Sequence, residues 1–291
     1  MAEFGQLVLS GLGFGGIYAL AALGLVLIFK TSGVVNFAFG AMATVVTLLL
    51  WTLFSPLGLP LVVAWVLALC AALLLGGVSE VLFLRRIENA APLIQIALTL
   101  GLLLVIEGLA GVLWGFSPKE VPRVVHGSSV NLGPYLIDLN DIVIIAVTLL
   151  LGAAFYFLFE RTRIGLAMRA IAQDRDTAEL MGIRVRRYIT ASWAVGVLVT
   201  GVAANLVAPT VSLSPTMMEN IAVFAFAAAV LGGFGSLAGA IVGGFAIGVV
   251  SDLIAGYLSS DLQLSLVFLL IVVILYVRPQ GLFGVAAHSR Q

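Results

Sequence analysis

Charge is scarce in this sequence. Its 291 residues include 14 Lys and Arg and 14 Asp and Glu, so charged side chains make up 10% and cancel. That balance provides no basic surface for nucleic acid, whose binding rests on neutralising phosphates, and no acidic tail. Cysteine is almost absent: Cys70 stands alone in an apolar run, which excludes an internal disulfide framework and any multi-cysteine metal or redox site. His126 and His288 lie far apart in polar segments, so neither a metal site nor a catalytic residue is expected. A GxxxxGK[ST] phosphate loop is also missing, so no ATP site of that kind is expected in this chain.

What is abundant is hydrocarbon. Apolar and aromatic residues reach 62%, against about 45–50% in soluble domains, and the mean hydropathy is +1.20. Membrane-crossing helices need about 20 mostly apolar residues and tolerate few charges at the bilayer centre. Residues 4–29 carry no charge, and neither do residues 31–79, which the Ser55, Pro56, Gly58, Pro60 cluster divides in two. Residues 92–115, interrupted only by Glu107, then 142–159 and 190–208, add three more. The run 221–250 is broken by Gly232, Gly233, Gly235, Ser236 and Gly239 into two shorter helices, and 262–277 closes the series. The expected fold is an all-α integral membrane protein, a polytopic helical bundle of about 8–10 transmembrane segments forming a single domain over 1–291. Residues 116–140 are expected as an extracytoplasmic connector carrying Pro118, Pro122, Gly127 and Pro134.

Basic residues set the orientation, because short cytoplasmic loops hold an excess of them. With the N-terminus outside and the C-terminus cytoplasmic, Lys30, Arg85, Arg86, seven arginines from Arg161 to Arg187, Arg278 and Arg290 fall inside, and only Lys119 and Arg123 outside. The start of the chain has no basic n-region or small-residue cleavage site, so the first helix is expected to be retained. Residues 11–45 and 221–250 share a pattern of small-residue helix, break and small-residue helix, a pointer to a central pathway between two halves.

Residues 160–188 form the sizeable polar stretch expected on the inner side. Leu166, Ala167, Ala170 and Ile171 fall on one helical face and Arg169 and Gln173 on another, giving a short amphipathic helix. A second helix follows, with Asp174 or Asp176 as its cap, Asp176 and Glu179 spaced as a capping box, and Gly182 as the left-handed residue that ends it. A solvated arginine loop near lipid headgroups is one reading, and a docking surface for a cytosolic partner the other. Of the polar residues inside the spans, Asn36 could cap the second helix or line the pathway, Gln95 and Thr99 share a face, and Glu107 is a functional candidate by its cost in lipid. Asp252, Glu219 and Asp261 fall near outer ends and read as interfacial.

Five stretches together resemble the permease subunits of bacterial branched-chain amino acid ABC importers, of the shorter LivH type. They are GGIYALAALGLVLIFKTSGVVNFAFGAM at 15–42, APLIQIALTLGLLL at 91–104, GLAMRAIAQDRDTAELMGIRV at 165–185, AAAVLGGFGSLAGAIVGG at 227–244 and RPQGLFG at 278–284. The resemblance implies a subunit of the bacterial inner membrane that passes leucine, isoleucine, valine or a similar small polar solute inward by alternating access. It implies a transport subunit that is no enzyme and carries no cofactor of its own, with a homologous second permease, two cytoplasmic ATPase subunits that bind ATP and Mg, and an extracytoplasmic solute-binding protein. ATPase coupling is implied for Gly165, Arg169, Asp174, Asp176, Glu179 and Gly182. The family's NFAHGE-like signature reads NFAFGA here, with Phe39 and Ala41 at the two polar positions, which implies a more apolar pathway; urea and short-chain amide importers use similar permeases. An ion-coupled secondary transporter is the rival class, and it needs buried acid or histidine relays, of which Glu107 is the one offered.

Overall fold

A computed structural model describes residues 2–123, 130–132, 135–278 and 280–284. His126, Gly127, Pro134, Pro279, His288 and Arg290 fall outside the described residues. The first half runs α1 (Ala2–Ser32), α2 (Phe39–Phe54), α3 (Leu61–Leu82), a 3-10 turn (Leu84–Ile87), α4 (Pro92–Trp114) and α5 (Leu139–Arg161). Two short helices, α6 (Arg163–Gln173) and α7 (Arg175–Leu180), lead into α8 (Val185–Val211), α9 (Glu219–Gly232), α10 (Leu237–Tyr257) and α11 (Ser260–Val277). Seven of the described helices are long and apolar enough to cross a membrane, and α2 and α9 are shorter apolar helices. All nine expected segments are therefore present, with breaks where proline and glycine placed them.

The connector holds more order than its sequence suggests. Strands β1 (Val130–Leu132) and β2 (Tyr135–Ile137) pair antiparallel, with Val130 opposite Ile137. Lys119 exchanges both backbone hydrogen bonds with Leu213 at 2.9 and 3.0 Å, tying the connector to the turn after α8. Gln6 does the same to Leu136, donating to its carbonyl at 2.8 Å and accepting from its N–H at 3.0 Å.

Two helices make the core. In the most apolar stretch of α1, 83% of residues are buried, and in α8 67%, against 22% in α3, α4 and α5 and 11% in α11. Burial alone drives no association between helices in lipid, so small residues that admit close backbones must do so. On α1, a Cβ at Gly15 would lie 2.9 Å from the Phe245 Cα of α10, and one at Gly11 2.7 Å from the Val249 Cα. Rising numbers on α1 thus meet falling numbers on α10, and the two helices run antiparallel in near backbone contact.

The packing repeats with inverted topology. Helix α1 packs against α8, α9 and α10, while α8 packs against α1, α2 and α3; α2 rests on α4 as α9 rests on α11. Each long central helix ends in a left-handed residue, Gly33 (φ 72°) after α1 and Ser212 (φ 62°) after α8. The units related in this way are α1–α4 and α8–α11, so the partner of residues 11–45 is the stretch α8–α9 and not 221–250. The compositional match misled because small residues crowd α10 for packing against α1, whereas the repeat is defined by a long helix followed by a short one.

Candidate coupling and pathway site

The arginine-rich face is built from local signals first. Thr162 caps α6 by accepting from the Gly165 N–H at 3.2 Å. A side chain at Gly165 would run into the backbone of Leu158 and Phe159, so the sharp bend from α5 into α6 needs a residue without one. Of the two candidate caps for α7, Asp174 is used: it accepts from the Thr177 N–H at 3.0 Å and from the Thr177 hydroxyl at 2.8 Å. Helix α7 ends at Gly182 with φ 82°. There the Gly182 N–H donates to the Glu179 carbonyl at 2.9 Å and the Ile183 N–H to the Ala178 carbonyl at 3.1 Å, satisfying carbonyls the helix leaves open.

The face of α6 that is buried differs from the expected one. Gly165, Met168 and Ile171 are buried, whereas Leu166 is 62% exposed. Burial follows the bend at Gly165, which rolls the helix so that Met168 faces the bundle. At the end of α7, Leu180 is 89% exposed and the C-cap Met181 80%. Two large apolar side chains at the tip of an otherwise polar module have no role in holding this chain together.

Ion pairs tie the module to the bundle. Arg169 donates to Glu160 at 2.6 Å. Glu88, in the turn between α3 and α4, accepts from Arg175 of α7 at 2.6 Å and from Arg186 of α8 at 2.7 Å. Burial alone would raise the Glu88 carboxyl, but the two guanidinium groups outweigh it and hold the group below the ordinary carboxylate range. Glu88 is absent from the residues that spacing singled out. Its only sequence signal is that it stands as the lone acid between Arg86 and the proline that opens α4.

From Glu88 the contacts continue inward. Gln95 Nε2 lies 3.2–3.3 Å from the carbonyls of Ile87, Glu88 and Ala90, fastening the turn to the first turns of α4. One turn further, the Thr99 hydroxyl lies 3.0 Å from the Ile96 carbonyl of its own helix and 3.2 Å from the Val35 carbonyl, either of which can accept its proton. Asn36, next in the same α1–α2 turn and fully buried, accepts from the Ala38 N–H at 3.0 Å. Gln95, Thr99 and Asn36 are therefore brought near the turn at Glu88 that holds α7. Glu107 is not: it lies about 12 Å further along α4 than Thr99 at 1.5 Å per residue, half-exposed. A cleft of about 800 Å³ opens on this same face, between Lys30 and Ser32 of α1, Arg169 and Gln173 of α6, and Phe234 in the α9–α10 break.

Other buried polar groups join helices elsewhere. The Thr47 hydroxyl of α2 donates to Asn205 Oδ1 of α8 at 2.7 Å, and Asn205 Nδ2 has no partner among the described residues. Glu80 of α3 takes Arg85 at 2.9 Å and the Thr190 hydroxyl at 2.6 Å. Asp252, expected at an interface, is half-buried within α10 and accepts from the Ser10 hydroxyl at 2.8 Å. Among the described residues, no group of three or more His, Cys, Asp or Glu is placed to hold a metal ion.

Residues 7–277 match the protein family described as branched-chain amino acid transport system, permease component. The high-affinity branched-chain amino acid transport system permease protein LivH of Salmonella typhimurium is 28% identical, covering 97% of this chain and 96% of its own. BraD, the corresponding permease protein of Pseudomonas aeruginosa, is 28% identical over 96% of this chain and 95% of its own. A probable LivH of Methanocaldococcus jannaschii is 30% identical over 94% and 90%. No solved structure gives a significant match.

Proposed function

The chain belongs to the branched-chain amino acid transport system permease family, and we propose that it is the membrane-spanning half of an ATP-driven importer that carries leucine, isoleucine, valine or a similar small polar solute inward. The observation that carries this reading is the α6–α7 module: a capped, ion-paired lever that presents Leu180 and Met181 to solvent. A rigid short helix with apolar anchors suits seating in the groove of a partner protein. ATP and Mg belong in this reading to two cytoplasmic ATPase subunits, since the sequence holds no phosphate loop. A homologous permease and an extracytoplasmic binding protein complete the complex.

The module lies inside, the N-terminus outside and the C-terminus inside, in the bacterial plasma membrane. Closure of the ATPases moves α6 and α7 together through Gly165, Arg169, Asp174, Asp176, Glu179 and Gly182. Arg175 carries that movement to Glu88, Gln95 transmits it to α4, and Thr99 passes it to the Val35–Asn36 turn. In this alternating-access scheme Asn36, Gln95 and Thr99 shape the inner end of the pathway, and Glu107 stands nearer its outer mouth. Each state must be favoured by a different ligand set, because a ligand held equally by both shifts nothing.

The test is copurification of the tagged chain with its encoded neighbours. Two ATPases and a second permease are expected to come with it in a 2:1:1 complex, followed by uptake assays with leucine, isoleucine, valine, urea and short amides. A chain that purifies alone and moves solute in ATP-free liposomes would refute the importer and make Glu107 the centre of an ion-coupled mechanism.

A further inference from the structure

Arginines on the inner face fall into two sets. Arg85, Arg169, Arg175 and Arg186 each meet a carboxylate at 2.6–2.9 Å. Arg184 and Arg187 meet none among the described residues and are exposed. Arg184 immediately precedes α8 and Arg187 lies in its first turn, and both line one cleft of about 580 Å³ between α6 and α8. The floor of that cleft is apolar, formed by Ile164 and Met168 of α6, Ile183 and Ala191, with Tyr188 between floor and rim. Arg86, also without an ion pair among the described residues, does not line this cleft.

We propose that this cleft binds an anionic phospholipid, with Arg184 and Arg187 holding the headgroup phosphate and Ile164, Met168 and Ala191 receiving the start of an acyl chain. Guanidinium groups grip phosphate through paired N–H donors, which a lysine cannot match. The position supports the match. Arg184 stands at the N-cap and Arg187 in the first turn of a helix long and apolar enough to cross a membrane, the depth at which a long cationic side chain reaches headgroups while its stem stays on apolar surface. Tyr188 adds an aromatic body with a polar tip, the residue type that settles at that interface. Ala191, exposed one turn further into the span, opens the floor toward the hydrocarbon. Only the choice of leaflet rests on the orientation given above; the chemistry of the cleft does not.

The complex purified with its encoded neighbours is placed in nanodiscs containing equal parts of phosphatidylglycerol and phosphatidylcholine, then extracted with mild detergent, and the retained lipid is counted by native mass spectrometry. Phosphatidylglycerol is expected to be retained at least fivefold over phosphatidylcholine. The Arg184→Gln, Arg187→Gln double variant should lose that preference while Arg86→Gln keeps it. Equal retention of the two lipids by the unaltered complex overturns the proposal without recourse to any variant. So does release of phosphatidylglycerol by 10 mM inorganic phosphate, which would mark a free-anion site. Loss of the ATPase subunits from the double variant in lipid-free detergent would show instead that the cleft belongs to protein docking. None of these outcomes depends on uptake, so a failure here is distinct from a failure of the importer reading.

Discussion

Arg175 Nη2 lies 2.6 Å from Glu88 Oε2, joining the exposed helix α7 to the turn between α3 and α4. With Arg186 on the second oxygen at 2.7 Å, one carboxylate bridges α7 and α8, which follow one another through the turn at Gly182. Hydrogen bonds to a charged group contribute about 1.5–3 kcal/mol each when sheltered, and less where, as at Arg186, the partner is mostly exposed.

Glu88→Gln is expected to uncouple the module without dissolving the complex. ATPase subunits should still copurify, ATP hydrolysis should persist, and uptake should fall about tenfold, the effect of losing about 1.4 kcal/mol of coupling. Equal losses of hydrolysis and uptake would show that Glu88 serves assembly alone.

The same carboxylate sets a pH dependence. Its folded-state value lies below the ordinary 4.5, so its stabilising effect is complete above 4.5 and is lost only as pH falls through that lower value. Thermal unfolding in detergent should therefore show an acid-side loss in the unaltered chain that Glu88→Gln removes.

Gly182→Val should damage docking. The residue sits at φ 82°, where a β-branched side chain costs about 1–3 kcal/mol, and the two hydrogen bonds that end α7 depend on that conformation. Recovery of ATPase on the tagged chain is expected to drop at least tenfold with the bundle still folded; full recovery and normal uptake would remove Gly182 from the coupling role. Leu180→Ser with Met181→Ser should give the same loss by deleting the anchors and leaving the backbone alone.

Ser212→Gly is expected to stabilise the chain. Among the described residues Ser212 is the one non-glycine residue at positive φ, and its inverted counterpart Gly33 is already glycine. Relief of about 0.5–1 kcal/mol of strain should raise the unfolding midpoint by a few degrees. A lower midpoint would mean that the Ser212 side chain supports the turn that meets Lys119.

Thr47→Val tests the buried polar contact of α2 with α8. It preserves shape, removes the 2.7 Å hydrogen bond and leaves Asn205 without a partner at either end. Within a membrane such a loss costs about 0.6 kcal/mol on average and up to about 1.7 kcal/mol, measurable as a lower unfolding midpoint.

Much of this protein was legible in one dimension. Nine apolar segments, their breaks at Pro56–Pro60 and Gly232–Gly239, a cap at Asp174 or Asp176 and the end at Gly182 all follow from hydropathy, capping and the φ preference of glycine. These properties are settled within a turn or two of the residue concerned. The pair of short helices α6 and α7 was readable for the same reason. Its buried face was not, because Leu166 and Met168 are equally apolar and the choice between them depends on the bend at Gly165 and on what lies beneath.

Only the tertiary structure decided the rest. That α8 is the inverted counterpart of α1, that the connector is fastened to Leu213, and that Thr99 meets Val35 depend on partners dozens of residues away, which no local periodicity encodes. Glu88 is the clearest case. In the sequence it is an isolated acid beside two arginines, and in the fold it pairs with neither of them but with Arg175 and Arg186, because chain reversal through α4 and α5 brings those two guanidinium groups to the same half-buried turn. The sequence alone set which segments cross the membrane and where they stop, since those depend on transfer from water to hydrocarbon and on backbone caps. The fold set which polar groups meet, since in lipid that depends on the close approach of helices that glycine allows.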